Sequence, residues 1–365
     1  MKIVIAPDSF KGSASSHEIA QWIESGIHAV IPDCETVKIA IGDGGEGSLA
    51  AVLTAGFKPY QCEVVGPLRN LVIAEFGIKD KTAFIEMAQA SGLSQLPGGE
   101  KSALLATSFG TGQLIRAALD QGVQHIILAV GGTATTDAGA GALQALGAQL
   151  FDASGAEISG GGAALNDCVA INTTSLDPRL ASVSFTLACD VTNPLLGPLG
   201  AARTFAPQKG ATADDVELLE KSLAHFASLA GGNHDSRSGA GAAGGFGFMA
   251  YAFLRAEMKS GIDLILDLVG FDSHLQGADY IITGEGRFDS QSSHGKAPWG
   301  ILQRAEKLSI PTFLLCGDAD NERGSRYQEI FTLTSLEPNV EFCIQNPEPL
   351  VIQLGEDLAR KIISR

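Results

Sequence analysis

The apolar positions of this chain alternate between short continuous runs and stretches in which they recur every three or four residues. Residues 2–6 form a short β-branched run, which predicts a buried strand. Apolar residues then repeat at helical spacing over residues 19–30, and Ser15 with Glu18 forms a capping box before them. Residues 36–41 predict a second strand. This opening favours a parallel sheet with helices on its faces.

The same patterns continue to the end of the chain. Further strands are predicted at residues 71–78, 83–87, 125–130, 182–189, 280–282 and 311–316, with a hairpin at 151–158. Further helices are predicted at residues 111–121, 214–229, 298–308 and 350–363, and one that opens at 239–247 and ends near Ser260. The strands at 71–78 and 83–87 are expected to pair with each other.

The length of the chain predicts more than one domain. It has 365 residues, which exceeds what one hydrophobic core usually serves. Simple strand-loop-helix order holds for the first 65 or so residues and returns after about Ala278. We therefore expect an α/β protein in which a Rossmann-like or flavodoxin-like domain, residues 1–65 and 279–365, is interrupted by an inserted mixed α/β domain, residues 66–278. A ligand site is expected in the cleft between the two domains.

Composition narrows the function classes. Hydrophobic residues make up 45% of the chain and charged residues 18%, as in a globular protein with a large interior. The net charge is −16 without a cluster of Lys and Arg, which argues against a nucleic-acid or membrane-surface partner. The 6 cysteines are scattered without a CxxC pair, and no apolar run reaches the length of a signal peptide or membrane span. We expect a cytoplasmic protein that binds a small molecule.

Acidic side chains follow several predicted strands, each beside Gly, Ser, Thr or Asn. These acids are Asp8, Asp43, Asp137, Asp190, Glu285 and Asp318. Ligands of open α/β sheets bind beyond the carboxyl ends of the strands, and hard oxygen ligands of this kind suit Mg²⁺. For any single acid, capping of the following helix is the alternative role. The same loops also carry the cations Lys11, Lys209, Arg287 and Lys296. Such cations suit the recognition of phosphate or carboxylate groups, and the alternative is that they are ordinary surface charges.

Two glycine-rich segments, residues 42–47 and 239–244, match the dinucleotide pattern GxGxxG. The first carries Asp43 and Glu46, which would repel a pyrophosphate, so metal coordination or hydrogen bonding to hydroxyls suits it better. The second is neutral, and either its backbone N–H groups cradle a phosphate or its small residues serve close helix packing. The chain has no P-loop, no GxSxG elbow and no HxxxH or HExxH spacing, so the usual NTPase, hydrolase and zinc-site motifs are absent.

A set of ordered segments covers nearly the whole chain. The segments are APDSFKGS (6–13), GDGGEGS (42–48), GTGQLI (110–115), GGTATTDAGAGALQALG (131–147), CDVTNPLLG (189–197), FAPQKGA (205–211), GAGAAGG (239–245) and ITGEGRFDSQSSHGKAP (282–298). In this order they resemble the type 1 glycerate kinase family of bacteria. The resemblance implies a two-domain α/β kinase without a P-loop that transfers the γ-phosphoryl group of ATP to D-glycerate. The implied product is 2-phosphoglycerate, with 3-phosphoglycerate as the alternative, in glyoxylate, glucarate or galactarate breakdown.

Strand-end placement and motif match together suggest roles for individual residues. The predicted catalytic residues are Asp190, with Asp8 as the alternative base, and Lys11. The predicted Mg²⁺ ligands are Asp43 and Glu285, with Asn193 beside them. The predicted ATP-binding residues are Lys209, Gly239, Gly241, Gly244, Arg287 and Lys296. The predicted substrate cleft is lined by Ser9, Thr133, Asp137 and Asp289.

Two other function classes stay open at this point. An NAD-dependent hydroxy-acid oxidoreductase would explain the glycines of residues 42–47, although Asp43 and Glu46 count against it. A non-catalytic sugar-acid binding protein with two lobes is the other class. The expected partner is D-glycerate, with no nucleic acid and no membrane, and the sequence leaves a homodimer open.

Overall fold

The structure, a computed structural model of the chain, describes residues 1–42, 44–288, 296–320 and 326–364. The chain divides into two compact units. Unit 1 comprises Met1–Asp43, Ala50–Ala55 and Ile262–Arg365, and unit 2 comprises Gly44–Leu49 and Gly56–Gly261. The predicted α/β class is confirmed, whereas the predicted interruption of one domain by an insertion at residues 66–278 stays a prediction.

Strands and helices alternate through much of the described chain. The strands are β1 (Lys2–Pro7), β2 (Glu35–Lys38), β3 (Lys58–Val65), β4 (Leu71–Lys79), β5 (Thr82–Glu86), β6 (His125–Ala129), β7 (Gln149–Phe151), β8 (Ala170–Asn172), β9 (Ser184–Ala188), β10 (Glu257–Lys259), β11 (Tyr280–Phe288), β12 (Thr312–Ala319) and β13 (Ile330–Thr332). The α-helices are α1 (Ser16–Val30), α2 (Ser48–Thr54), α3 (Ala88–Ser91), α4 (Phe109–Asp120), α5 (Ala140–Ala145), α6 (Ala201–Phe205), α7 (Ala213–Ala230), α8 (Ala242–Leu254), α9 (Gly261–Leu268), α10 (Phe271–His274), α11 (Ala297–Lys307), α12 (Leu333–Leu336), α13 (Val340–Gln345) and α14 (Pro347–Ile363). No helix in the described ranges is long and apolar enough to cross a membrane.

Unit 1 contains a parallel sheet with the strand order β2-β1-β11-β12-β13. Numbered along the chain within this sheet, the order is 2-1-3-4-5, which doubly wound α/β sheets of the flavodoxin type share. The order reverses between β1 and β11, and this switch point is where such sheets bind ligands. The sheet therefore directs attention to the carboxyl ends of these two strands.

Helices α1 and α14 pack together in the core of unit 1. The predicted capping box at the start of α1 is confirmed, because Ser15 and Glu18 exchange side-chain and backbone hydrogen bonds. The two helices approach very closely at Gly26, where a Cβ would lie 2.2 Å from the carbonyl oxygen of Ile352. Both helices contribute apolar side chains such as Ile23 and Leu358 to one core cluster.

Unit 2 contains a mixed sheet with the strand order β10-β9-β6-β5-β4-β3. Strands β5, β6, β9 and β10 are parallel to one another, and β3, β4 and β5 are antiparallel neighbours. The predicted pairing of residues 71–78 with 83–87 is confirmed by β4 and β5. The hairpin predicted at 151–158 is confirmed in short form: Phe151 and Glu157 form an antiparallel bridge, and the N–H of Asp152 donates to the carbonyl of Ala156 at 2.8 Å. Strand β7 also pairs with β8 on its other side.

The predicted helix from residue 239 to near Ser260 is too long. Helix α8 ends at Leu254 because Arg255 adopts a left-handed conformation, with φ of 54°, which terminates the helix. The chain then forms β10, which pairs with β9. This strand extends the sheet of unit 2 at its edge.

Candidate functional site

Acidic side chains gather at the carboxyl ends of the central strands of unit 1. Asp8 follows β1 directly, Glu285 lies in the last part of β11, and Asp318 lies near the end of β12. All three line one cavity of about 440 Å³, together with Lys11, Arg287 and Lys296. The parallel strands of unit 1 thus bring these three predicted acids together at one edge of the sheet, while their roles stay predictions.

Two of these acids are buried and held by specific donors. Asp8 is 5% exposed, and its Oδ1 accepts the backbone N–H of Ser9 at 2.7 Å. Glu285 is 6% exposed, and its Oε2 accepts a hydrogen bond from Lys296 Nζ at 3.2 Å. Because buried carboxylates need such partners, these contacts keep the acids oriented within the cavity wall.

Two further charged residues of the cavity, Asp318 and Arg287, also have polar partners. Asp318 Oδ1 accepts the hydroxyl of Thr334 at 2.9 Å. Arg287 forms an ion pair with Asp320 at 3.1 Å, and its side chain is 65% exposed. Arg287 is therefore ion-paired at an exposed position, and its contact with ATP stays a prediction.

Burial, with a smaller contribution from the acids, raises the pKa values of two neutral groups nearby. Burial raises the pKa of the Cys316 thiol, and the negative charges of Glu285 and Asp318 raise it further. Burial likewise raises the pKa of Tyr327, with Glu285 adding to the effect. Both groups therefore stay protonated at neutral pH, and a nucleophilic thiolate at Cys316 is disfavoured.

Two predicted site residues, Asp43 and Asp289, lie outside the described residues. Among the residues that are described, no group of three or more His, Cys, Asp and Glu side chains could hold a metal ion. Mg²⁺ commonly takes only one or two protein carboxylates and leaves its other positions to water and phosphate. Asp8 and Glu285 are buried carboxylates that face a cavity, so they fit a site that needs only one or two protein carboxylates.

In unit 2, the predicted catalytic acid Asp190 follows β9. Its Oδ1 accepts the backbone N–H of Gly261 at 2.9 Å, and the side chain is half-buried. Asn193, predicted to lie beside the metal, donates its amide N–H to the carbonyl of Leu199 at 2.8 Å. These contacts fix the loop after β9, while the metal-binding role of Asn193 stays a prediction.

Asp137 lies fully inside unit 2, with 0% exposure. Its carboxylate accepts hydrogen bonds from the N–H and hydroxyl of Ser108 at 2.7 and 2.8 Å, and from the N–H groups of Gly139 at 3.1 Å and Gly141 at 3.3 Å. Burial raises the pKa of Asp137, and these hydrogen bonds oppose the rise. The carboxylate thus anchors the starts of α4 and α5, as in the helix-capping alternative, and its substrate role stays a prediction.

Lys209 is also buried, with 3% exposure, in the 3₁₀ turn Pro207–Lys209. Its Nζ donates to the carbonyl oxygen of Thr135 at 2.6 Å and lies 3.5 Å from the hydroxyl of Thr133. Burial lowers the pKa of Lys209 to about 8, against the opposing charge of Asp137. The ammonium group therefore ties the turn to the loop after β6, and a contact with ATP stays a prediction.

The glycines of the second GxGxxG segment each face another part of unit 2. A Cβ at Gly241 would lie 2.2 Å from the carbonyl oxygen of Pro194, and one at Gly244 would lie 2.0 Å from that of Thr135. At Gly239 the Cβ would lie 2.3 Å from the sulfur of Met258. Close packing thus accounts for these glycines, and their phosphate contact stays a prediction.

Sequence reasoning missed Glu86, the last residue of β5, which is 1% exposed. Its carboxylate accepts the backbone N–H groups of Leu49 at 2.8 Å and Gly47 at 3.4 Å. It holds the segment 44–49, next in sequence to the predicted metal ligand Asp43. Glu86 also ends a strand, but Met87 follows it, so Glu86 lacks the neighbouring Gly, Ser, Thr or Asn that marks the other acids.

The sequence model of the Glycerate kinase family matches residues 3–363. The chain belongs to the glycerate kinase family. The predicted resemblance and the predicted enzyme class are thereby confirmed. Membership leaves the oxidoreductase and the non-catalytic binding protein without support.

Members of the glycerate kinase family with similar sequences cover almost all of this chain. It is 43% identical to the glycerate kinase of Bacillus subtilis (strain 168), over 99% of this chain and 98% of that protein. It is 46% identical to the glycerate 2-kinase of Escherichia coli (strain K12), over 90% of this chain and 88% of that protein. A crystal structure described as glycerate kinase 2 of Salmonella typhimurium LT2 superposes with a TM-score of 0.83 at 41% identity, covering 100% of this chain and 98% of that one.

Proposed function

We propose that this enzyme transfers the γ-phosphoryl group of ATP to the 2-hydroxyl of D-glycerate, giving 2-phosphoglycerate and ADP. The family match over residues 3–363 carries the proposal. The similarity to the E. coli protein named glycerate 2-kinase supports the choice of hydroxyl. Phosphoryl transfer depends mostly on positioning and on neutralising phosphate charge, and the cavity of unit 1 offers three cations for that purpose.

The proposal gives the charged groups separate tasks. Lys11, Arg287 and Lys296 bind phosphate oxygens, and Arg287 is exposed enough to make the first contact. Lys296 is held by its ion pair with Glu285, so its positive charge is already positioned before the phosphates bind. Mg²⁺, when bound by Glu285 and Asp43, would supply further neutralisation of the phosphates.

Asp190 is proposed as the base that takes the proton from the glycerate hydroxyl. Its Oδ1 already accepts the N–H of Gly261, which fixes the direction of the carboxylate. Asp8, the alternative base, lies in the unit 1 cavity and is only 5% exposed. The half-buried position of Asp190 favours contact with a substrate hydroxyl over the more enclosed position of Asp8.

The interrupted-domain arrangement is kept as part of the proposal. The sheet of unit 1 takes β1 and β2 from the start of the chain and β11, β12 and β13 from its last part. A sheet assembled from both ends of a chain supports a first domain interrupted by an insertion.

The decisive experiment is incubation with D-glycerate, ATP and Mg²⁺, coupled to enolase without a phosphoglycerate mutase. Enolase accepts 2-phosphoglycerate, so immediate formation of phosphoenolpyruvate is the expected result. Formation only after mutase is added would assign the 3-hydroxyl instead. If no ADP appears with glycerate present, the kinase proposal is wrong.

A further inference from the structure

The cavity of unit 1 has two chemically different walls. One wall carries charged groups, including Lys11 and Lys296. The other wall is apolar and belongs to α13. Its residues Val340 and Ile344, four positions apart on one face of the helix, line the same cavity. Their side chains are 49% and 46% exposed, so apolar surface is open at a ligand-binding edge of the sheet.

This combination fits a nucleotide better than it fits glycerate. The cavity of about 440 Å³ lies in the range of sites that hold drug-sized ligands. Glycerate is much smaller, and apart from one CH and one CH2 group it has no apolar surface to place against Val340 and Ile344. A purine nucleotide has a flat ring that gains from leaving water and phosphates that seek cations.

A hydrogen bond joins the two walls. The hydroxyl of Ser13 donates to the backbone carbonyl of Ile344 at 2.6 Å. Ser13 belongs to the tight turn after β1 that carries Lys11, closed by a hydrogen bond from the N–H of Ser13 to the carbonyl of Phe10 at 2.8 Å. The apolar wall and a phosphate-seeking cation are therefore held in a fixed arrangement, which lowers the entropy cost of binding.

We propose that the purine base of the nucleotide packs against Val340 and Ile344 in the unit 1 cavity, with its phosphates directed toward Lys11 and Lys296. This inference rests on the proposed function and deepens it by giving the phosphate donor its base-binding surface. The strand order supports the placement, because the cavity lies at the switch point of a doubly wound sheet.

The test compares three variants of one short helix. Ile344→Asp and Val340→Asp place a charge on the face that lines the cavity. Phe342→Asp is the matched control, because Phe342 is 45% exposed on the same helix and does not line the cavity. Each variant is titrated with Mg·ADP by calorimetry without glycerate, and KM values for ATP and glycerate are measured separately.

Ile344→Asp and Val340→Asp are expected to weaken Mg·ADP binding about tenfold or more and to raise the KM for ATP similarly. The KM for glycerate should stay within about twofold, and Phe342→Asp should behave as the wild type does. If the cavity-facing variants raise the KM for glycerate and leave Mg·ADP binding unchanged, the cavity holds the acceptor and the inference is wrong. It is also wrong if they are indistinguishable from Phe342→Asp.

The outcomes for this inference and for the proposed function can be separated. If these variants weaken Mg·ADP binding but the enzyme does not phosphorylate glycerate, the nucleotide site stands and the proposed function is wrong. If Ile344→Asp turns over glycerate normally and its affinity for Mg·ADP is unchanged, the proposed function stands and this inference is wrong. Melting temperatures are measured for every variant, and Ile344→Ser with Val340→Ser replaces any aspartate variant that fails to fold.

Discussion

Glu86 accepts the backbone N–H of Leu49 at 2.8 Å, and this contact fixes the segment that follows Asp43. The segment is also closed by a hydrogen bond from the N–H of Gly44 to the hydroxyl of Ser48 at 3.0 Å. Burial, with a smaller contribution from the nearby charge of Glu46, raises the pKa of Glu86 to about 7, although the two accepted N–H bonds oppose the rise. The anchor of this segment therefore changes its charge near neutral pH.

Replacement of Glu86 by glutamine should change how stability depends on pH. The folded pKa of about 7 lies above the ordinary value of 4.5, so the native state binds more protons between these values. The contribution of Glu86 to stability is thus complete below its ordinary pKa and is lost as pH rises through about 7. Wild type should lose about 1–3 kcal/mol relative to Glu86→Gln between about pH 5 and about pH 8. Urea unfolding at the two pH values measures the difference, and an equal difference at both would contradict the prediction.

Lys209 should show the opposite dependence. Its folded pKa of about 8 lies below the ordinary 10.5, so the unfolded state binds more protons in that interval and stability rises with pH there. Lys209→Met has no proton to lose and should lack this rise. The free energy of unfolding of wild type relative to Lys209→Met should therefore grow by on the order of 2–3 kcal/mol between about pH 8 and about pH 10.5.

The control for this experiment is Lys221→Met, which removes an exposed lysine from α7 of the same unit. Denaturant unfolding is measured for wild type and both variants across the same pH range. A constant difference between wild type and Lys209→Met would mean that Lys209 does not titrate as its burial implies. A pH-dependent difference for Lys221→Met as large as that for Lys209→Met would assign the effect to general charge.

The sequence predicts the regular parts of this fold where hydrophobic pattern and burial coincide. Strands β1 and β12 are continuous apolar runs that the sheet encloses, and the hydrophobic pattern predicts both closely. Strand β3 was missed because most of its residues are exposed at the edge of the sheet, so no apolar run marks it. The early end of α8 was missed because the left-handed conformation of Arg255 has no signature in residue type.

The candidate site was predictable only as far as sheet topology determines it. Parallel strands end at one edge, so Asp8, Glu285 and Asp318 could be expected together, and they do line one cavity. The enclosure of Asp137 and Lys209 could not be expected, because it results from packing between segments far apart in the chain. A charged residue in a glycine-rich loop has the same appearance in sequence whether it faces a ligand or a carbonyl group.

Gly244 tests whether the second glycine-rich segment serves packing. Its φ of 67° disfavours any side chain, and a Cβ would also lie 2.0 Å from the carbonyl of Thr135. Gly122 has a similar φ of 70° with no atom within 4 Å of its Cβ position, so Gly122→Ala measures the backbone cost alone. Gly244→Ala should destabilise the protein by at least about 1–3 kcal/mol more than Gly122→Ala. Equal melting temperatures for the two variants, with a raised KM for ATP in Gly244→Ala only, would favour a phosphate contact instead.

Asp190→Asn separates the two candidate bases. In the wild type, Asp190 Oδ1 accepts the N–H of Gly261 at 2.9 Å, and the amide oxygen of asparagine can accept the same hydrogen bond. The loop after β9 should therefore keep its shape, and the melting temperature should change little. Loss of a general base typically lowers turnover by about 10²–10⁴-fold, and the KM for ATP should stay nearly constant because the lost group acts on the acceptor hydroxyl. Asp8→Asn, in the unit 1 cavity, should instead raise the KM for ATP more than it lowers kcat. Steady-state kinetics on both variants, with melting curves to verify folding, distinguish the roles. Near-normal turnover by folded Asp190→Asn together with an inactive Asp8→Asn would make Asp8 the base.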